Sequence, residues 1–239
     1  MSEPEGRVSQ PAPLTSGWRV ERATGPAAAF HARALPPVGE AERLVRVLEV
    51  DRAALVLGST QPESDVDAAA VRAAGVDLVR RRSGGGAVLL EPGGALWVDV
   101  DLPAGDPRWR VDVAEAFHWL GEAWVAALAH LGIDGVAHRG PPVVTPWSRA
   151  VCFAGLGPGE VTVGGRKGVG MAQRRTRAAA RFQCAVLQRW EPERLVRLLA
   201  LPADGKAGAT RALAGVATGV DKPSGDIVDA FLSALCGPK

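Results

Sequence analysis

The sequence predicts an α/β (α+β) fold, and three observations predict it. Leu96, Val98, Val100 and Leu102 alternate with Trp97, Asp99 and Asp101, the period of a half-buried strand. Val113, Phe117, Leu120, Trp124, Ala127, Leu128 and Leu131 recur at three- and four-residue spacing and form one apolar helical face within 111–131. From 135 to 187 the chain reads as strands and turns, and three short amphipathic stretches follow. With 239 residues, 47% of them apolar, it can build one large domain or a main domain with a small appendage.

Composition narrows the function classes. A net charge of +2 gives no reason to expect nucleic acid. No apolar run approaches a membrane-spanning length and the N-terminus has no hydrophobic signal core, so no membrane association is expected. Three cysteines (Cys152, Cys184, Cys236) are odd in number and widely spaced. They suggest neither a disulfide framework nor a metal cluster, and a reducing cytoplasm is expected.

Taken in order, residues 1–16 are rich in Pro, Ser and Glu and read as a disordered lead-in. Trp18 and Val20 open the fold as a short strand. The alanine-rich stretch 23–42 is interrupted by Pro26, Pro36 and Pro37, so any helix there is short. Leu44–Val50 and Ala53–Leu57 read as strands, the second fully buried. Asp65 is the expected cap of a helix through Ala74, with Asp67 in its first turn and Gly75 as its stop. On the strand 96–102, Asp99 and Asp101 are expected to face solvent rather than a metal. The tail reads as short helices at 191–201, 207–216 and 223–235, a helical C-terminal appendage over 201–239.

Two stretches carry chemistry. The first is Arg80-Arg81-Arg82-Ser83-Gly84-Gly85-Gly86-Ala87-Val88. Three glycines free the backbone for positive φ and remove side chains that would keep a ligand from the amides. With arginines and a serine beside them they read as an anion site, against the plainer reading of a glycine-rich hairpin beside a solvated basic patch. A P-loop would need Lys-Ser/Thr where Ala87-Val88 stand, and a Rossmann turn would need a helix next. The second stretch is Glu160 to Gln173, two strands joined at Gly164-Gly165. Lys167 opens its second strand, flanked by glycines, and is expected to stand unpacked and open to a ligand. Arg174, Arg175, Arg177 and Arg181 follow with no acid among them; some of them steer an acidic partner, or the set is a solvated strand face.

Together these segments resemble the lipoate–protein ligase and octanoyltransferase family, which shares its fold with biotin–protein ligases. The resemblance rests on Leu57-Gly58-Ser59-Thr60-Gln61, Arg81-Arg82-Ser83-Gly84-Gly85-Gly86-Ala87-Val88 and Gly165-Arg166-Lys167-Gly168-Val169-Gly170-Met171-Ala172-Gln173-Arg174, and covers roughly 17–200. It implies a mixed central β-sheet flanked by helices. It also implies an acyl pocket with substrate-binding positions at Arg81, Ser83, Gly84, Gly85, Gly86, Ala87, Val88, Gly170 and Ala172. In the ligases of this family ATP, with Mg2+, activates lipoate or octanoate as an acyl-adenylate. The acyl group then passes to a lysine of a lipoyl-domain protein, either a 2-oxoacid dehydrogenase E2 subunit or the glycine-cleavage H protein. Lys167 would be the catalytic cation of that reaction, and an ATP-dependent ligase is the first reading. The second is an octanoyltransferase that takes its acyl group from acyl carrier protein through a cysteine thioester. One branch of the family carries a cysteine-phenylalanine pair that Cys152-Phe153 resembles, which makes Cys152 the second catalytic candidate. A third reading is a non-catalytic acyl-binding protein. The family's usual histidine after the glycine motif is Leu90 here, and its histidine-glycine pair falls near Gln183-Cys184.

Overall fold

A computed structural model describes residues 12–13 and 17–236. Of the lead-in anticipated at 1–16, only β1 (Ala12–Pro13) is described, and the rest lies outside the described residues. The first part of the chain then runs β2 (Arg19–Gly25), α1 (Ala27–Ala32), β3 (Leu44–Val50), β4 (Ala54–Leu57), α2 (Ala68–Ala73), β5 (Asp77–Arg80), β6 (Val88–Leu90) and β7 (Ala95–Pro103). The second part runs α3 (His118–His130), β8 (Gly135–Ala137), β9 (Val161–Val163), β10 (Arg166–Arg175), β11 (Ala179–Leu187), α4 (Pro192–Arg197), α5 (Ala203–Leu213) and α6 (Ser224–Cys236). Eight strands form one mixed sheet in the order β1-β2-β3-β7-β11-β10-β9-β8, and β5-β4-β6 form a smaller one. This is the mixed sheet flanked by helices that the resemblance implies.

Strand alternation gives the large sheet two faces with different tasks. Val45, Val47, Val98, Val100, Phe182, Cys184, Val169 and Met171 point to one face and pack under α3 and α6. There Trp124 and Phe231 stack with centroids 3.9 Å apart, which sets α6 into the principal core. The opposite face is fixed by register. Trp97, Ala185 and Gly170 stand in one row, Asp99, Gln183 and Ala172 in the next, and Asp101, Arg181 and Arg174 in a third. The small sheet and α1 cover this second face through Phe30, Leu48, Val56, Leu90 and Trp97.

That cover corrects the expectation for Asp99 and Asp101. Both are buried, at 0% and 2% exposure. Arg181, reached directly across the register, donates to Asp101 at 2.7 and 2.9 Å, and Arg46 of β3 donates to the same carboxylate at 2.7 Å. The strand's polar side is therefore a closed ion-pair row, because a second layer lies over it. Arg181 is removed by the same contacts from the basic run expected to meet a partner. Arg175 is also engaged, lying 4.4 Å over the Trp109 ring and donating to Val111 O.

Two helix boundaries also differ. Asp67, not Asp65, caps α2 by accepting from the Ala70 amide at 2.9 Å; Asp65 ends a preceding 3-10 turn instead. The long helix starts at His118 rather than near 111. Asp112 accepts from the Ala114 and Glu115 amides, a side-chain cap that begins a separate turn there. Val113, the first residue of the periodic apolar face, lies ahead of the helix and is 54% exposed.

Candidate active site

The glycine loop is built around its own arginine. Arg81 is buried and donates to Gly84 O at 2.7 Å, Gly86 O at 2.9 Å and Val56 O at 3.2 Å. The two loop carbonyls fold the loop back over the guanidinium, which Val56 O anchors to β4. Gly85 sits at φ +100°, a conformation natural to glycine alone. Among the described residues, no protein acceptor takes a hydrogen bond from the Gly84, Gly85 or Gly86 amide. The loop therefore holds a cation with its carbonyls and leaves its N–H groups available.

Beyond the loop the chain pairs with the segment that carries Cys152. Ala87 N donates to Ala150 O at 2.9 Å, and Cys152 N donates to Ala87 O at 3.0 Å. Gly86 permits this approach: a Cβ there would lie 2.6 Å from the Val151 nitrogen. Gln61 braces the same segment, donating to Ala150 O at 3.1 Å. Cys152 then opens a 3-10 turn, Cys152–Ala154, with Sγ 3.9 Å from Arg81 Nη2. An ideal Cβ on Gly85 would be 3.4 Å from that sulfur, so the glycine loop and the thiol are neighbours.

Lys167 is buried, contrary to the unpacked side chain expected from its glycine neighbours. Its Nζ lies 2.7 Å from Glu160 Oε2 and donates to Cys152 O at 3.1 Å and Gly155 O at 3.0 Å. A register shift between Lys167 and Val169 bulges β10 against β9 and turns the lysine onto the site face. There its Cε would be 3.2 Å, and the Phe153 ring 2.9 Å, from any Cβ on Gly170. Gly170 is thus the floor under both side chains. Glu160 also accepts from Gly157 N and Met171 N, which fixes both of its oxygens. The lysine ties the Cys152 turn to the sheet.

Two hollows meet at Cys152. One is an almost wholly apolar cavity of about 60 Å³ whose walls include Val88, Leu90, Trp97, Phe153, Gly170 and Ala172. The other is a wider groove of about 340 Å³ bordered by Gly84, Gly85, Val143, Val144, Lys167 and Gln173. Cys152, Met171 and Ala172 line both. Ser83 is buried and donates to Gln183 Oε1 at 2.8 Å, and Gln183 Nε2 faces His31 Nδ1 at 3.3 Å. The His31 ring lies tilted over Trp97, with centroids 4.5 Å apart, and His31 also lines the apolar cavity. Burial, then the charges of Arg81 and Arg181, lower its pKa to about 3, so the imidazole is neutral. Burial likewise pushes Cys184 up to about 12, as befits a core thiol. Among the described residues no group of three or more His, Cys, Asp or Glu is placed to hold a metal ion.

The structure therefore brings Lys167, Cys152, Arg81, Ser83, Gly84, Gly85, Gly86, Ala87, Val88, Gly170 and Ala172 into one neighbourhood. Sequence reasoning missed Glu160 and His31. Counting back across the Gly164-Gly165 turn would have put Glu160 near Lys167; nothing in an alanine-rich segment marked His31.

The sequence profile of the lipoyl protein ligase A/B catalytic domain matches residues 27–222. The chain belongs to that family. It is 30% identical over 216 residues to a protein named octanoyltransferase LipM from Kyrpidia tusciae, a match covering 82% of this chain and 77% of the relative. It is 31% identical over 169 residues to an octanoyltransferase LipM of Lysinibacillus sphaericus, covering 68% of this chain and 58% of that protein. Among solved structures, a bipartite lipoate protein ligase from Thermoplasma acidophilum, studied with its E2 lipoyl domain, superposes with a TM-score of 0.67. That match has 20% identity over 84% of this chain and 72% of that one. A lipoate-protein ligase A bound with ATP gives a TM-score of 0.61 at 20% identity, over 87% and 75% of the two chains. These structural likenesses establish the fold. As a member of this family the chain is an enzyme of the lipoate ligase and octanoyltransferase group. No helix among the described residues is long and apolar enough to cross a membrane.

Proposed function

We propose that the chain is a Cys152-dependent octanoyltransferase, moving a medium-length acyl group from acyl carrier protein to a lysine of a lipoyl-domain protein in the cytoplasm. The observation that carries this reading is the position of Cys152 where the apolar cavity meets the wider groove. An acyl tail in the cavity puts its carbonyl at the sulfur, and the groove leaves room for the two proteins that must reach it in turn. The names of the two LipM relatives support the same choice.

The chemistry follows from the groups around the sulfur. Cys152 Sγ, as thiolate, attacks the carrier's thioester carbonyl. The carbonyl oxygen becomes an oxyanion beside the available Gly84, Gly85 and Gly86 amides, which can stabilise it as preorganised dipoles. Collapse breaks the bond to the carrier sulfur, which leaves with the proton Cys152 gave up. Arg81 holds a fixed positive charge against Sγ in both thiolate states. The acceptor lysine's neutral amine then attacks the Cys152 thioester, the C–S bond breaks, and the amine's proton returns to the departing Cys152 sulfur, giving the amide and the free thiol. Lys167 acts as a positioning residue, holding the Cys152 and Gly155 carbonyls.

The ATP-dependent ligase reading asks Lys167 to face a nucleotide phosphate. Its three donors are directed at Glu160 and two carbonyls, and an incoming phosphate would meet the Glu160 carboxylate as well. As arranged, these residues do not fit ATP with Mg2+.

The test supplies octanoyl carrier protein and a lipoyl domain without ATP and follows both proteins by intact mass. The expected result is an octanoyl adduct on Cys152, removable by hydroxylamine, followed by acylated lipoyl domain. Acylation that needs octanoate and ATP, with no adduct on Cys152, would restore the ligase reading. No product on either route would leave an acyl-binding protein.

A further inference from the structure

The groove beside Cys152 runs along an unpaired strand edge. β9 pairs with β10 only from Arg166 to Val169, so from Gly170 onward β10 has a strand neighbour on one side alone, β11. Register decides which backbone groups face outward. Met171 N donates to Glu160 Oε1 at 2.8 Å rather than to β11, while Thr176 N closes the hairpin by donating to Ala179 O at 2.9 Å. Bonded and non-bonded residue pairs alternate along an antiparallel ladder. Met171 and Gln173 therefore turn their backbone N–H and C=O groups away from β11. Gln173 N, Gln173 O and Met171 O meet no protein partner among the described residues. Both residues line the same groove as Cys152.

The far end of this edge carries unanswered positive charge. Arg174 is half-buried, two positions beyond Ala172 on the site face. Exposed Arg82 is brought beside it, because the next residue, Ser83, donates to Gln183, which lies opposite Ala172. Neither guanidinium makes a hydrogen bond or ion pair among the described residues. Burial, then Arg82 and Arg181, lower the Arg174 pKa. Asp101, in the same row, is already taken by Arg181 and Arg46. Two guanidiniums with no acid between them suit an oxyanion such as phosphate.

An acyl donor offers both kinds of partner on one molecule. A carrier protein presents its acyl group as a thioester on a phosphopantetheine arm, with two amides between sulfur and phosphate. The arm is a chain of about thirteen bonds, roughly 15 Å long at the pitch of an extended peptide. From Gly170, beneath the Cys152 turn, to Arg174 the strand runs roughly 14 Å.

We propose that the open edge of β10 seats the carrier's phosphopantetheine arm, with its amides on Met171 and Gln173 and its phosphate on Arg82 and Arg174. The donor's identity rests on the transferase reading of Cys152. An acceptor segment would bring a lysine toward two arginines, which favours the arm as occupant.

The experiment separates seating of the arm from transfer. Calorimetry measures phosphopantetheine and pantetheine binding to the intact protein, to Arg82→Gln combined with Arg174→Gln, and to Gln173→Pro. Proline removes only an outward N–H, so no ladder bond is lost. Cys152 acylation by octanoyl carrier protein is read separately by intact mass. The native protein is expected to bind phosphopantetheine about tenfold more tightly than pantetheine, in line with hydrogen bonds to a charged group. The double variant should erase that ratio and leave pantetheine binding unchanged. Gln173→Pro should weaken both ligands about equally and keep the ratio. Should that variant fail to fold, hydrogen exchange at the Gln173 amide reads the edge instead, and phosphopantetheine should slow it. Equal binding of the two ligands by the native protein would overturn the proposal. So would an unchanged ratio in the folded double variant, an unaltered Gln173 exchange rate, or no binding of either ligand. A Gln173→Pro protein that binds both normally but passes its acyl group slowly to the lipoyl domain would give the edge to the acceptor. Faster Cys152 acylation by octanoyl-coenzyme A than by octanoyl carrier protein would overturn the choice of carrier. Selective phosphopantetheine binding without Cys152 acylation would instead defeat the transferase reading and leave the arm's seat standing.

Discussion

Lys167 Nζ stands 2.7 Å from Glu160 Oε2, and the two residues are only 3% and 5% exposed. A pair withdrawn from water in this way is held by mutual compensation. Removing one charge leaves the other buried and unanswered, which typically costs about 3–5 kcal/mol. Lys167→Ala should therefore lower stability as well as activity, with a clear drop in melting temperature. The double variant Lys167→Met with Glu160→Gln should recover much of the stability and little of the turnover, because the Cys152 and Gly155 carbonyls still lose their tether. Additive stability losses in the double-mutant cycle would show that the pair is not coupled.

Gly86 offers a test of how the thiol is placed. Its missing side chain lets Ala87 pair with Ala150 and Cys152, and a Cβ would come within 2.6–2.8 Å of the Ala150–Val151 backbone. Backbone cannot swing aside as a flexible side chain can. Gly86→Ala is expected to reduce transfer a hundredfold or more, since small displacements of a positioned nucleophile have effects of that order. Gly84→Ala meets nothing within 4 Å and serves as the contrast for folding. A Gly86→Ala protein with near-native rates of Cys152 acylation would show that the pairing does not set the sulfur's position.

Much of this was legible in the sequence because it is local. The alternation over 96–102 marked β7, and Gly164-Gly165 marked the hairpin that delivers Lys167. The glycine loop could be singled out by residue type, and the Cys152-Phe153 pair only by its resemblance to one branch of the family. What could not be read was the partner each group meets across the layers. Asp101 looks solvated until Arg181, 80 residues away, is brought opposite it. Lys167 looks free until a bulge turns it toward Glu160. Arg81 looked like a ligand's cation until the loop's own carbonyls closed on it.

The neutral state of His31 gives the protein a pH signature. The ring's ordinary pKa is 6.5, and in the folded protein burial, aided by Arg81 and Arg181, lowers it to about 3. Between those two values the unfolded chain binds a proton that the folded chain refuses. Stability contributed by this site is therefore full above pH 6.5 and falls as pH drops toward 3, by on the order of a few kcal/mol in all. Asp99 works in the opposite direction: burial lifts its pKa from 3.8 to about 6, so the folded state takes up that proton first as pH falls. Stability from Asp99 is largest in acid and is lost as pH rises through about 6. The two sites offset each other in the native protein between about pH 4 and 6. Removing either should expose the other. His31→Leu is expected to flatten the acid-side fall in unfolding free energy by close to one proton, whereas Asp99→Asn should steepen it. Urea unfolding followed from pH 4 to 7.5 reads both slopes. Parallel curves for the native protein and the His31→Leu variant would mean that the folded protein already protonates the imidazole, and with it that the Nδ1 atom donates to Gln183 rather than accepting from it.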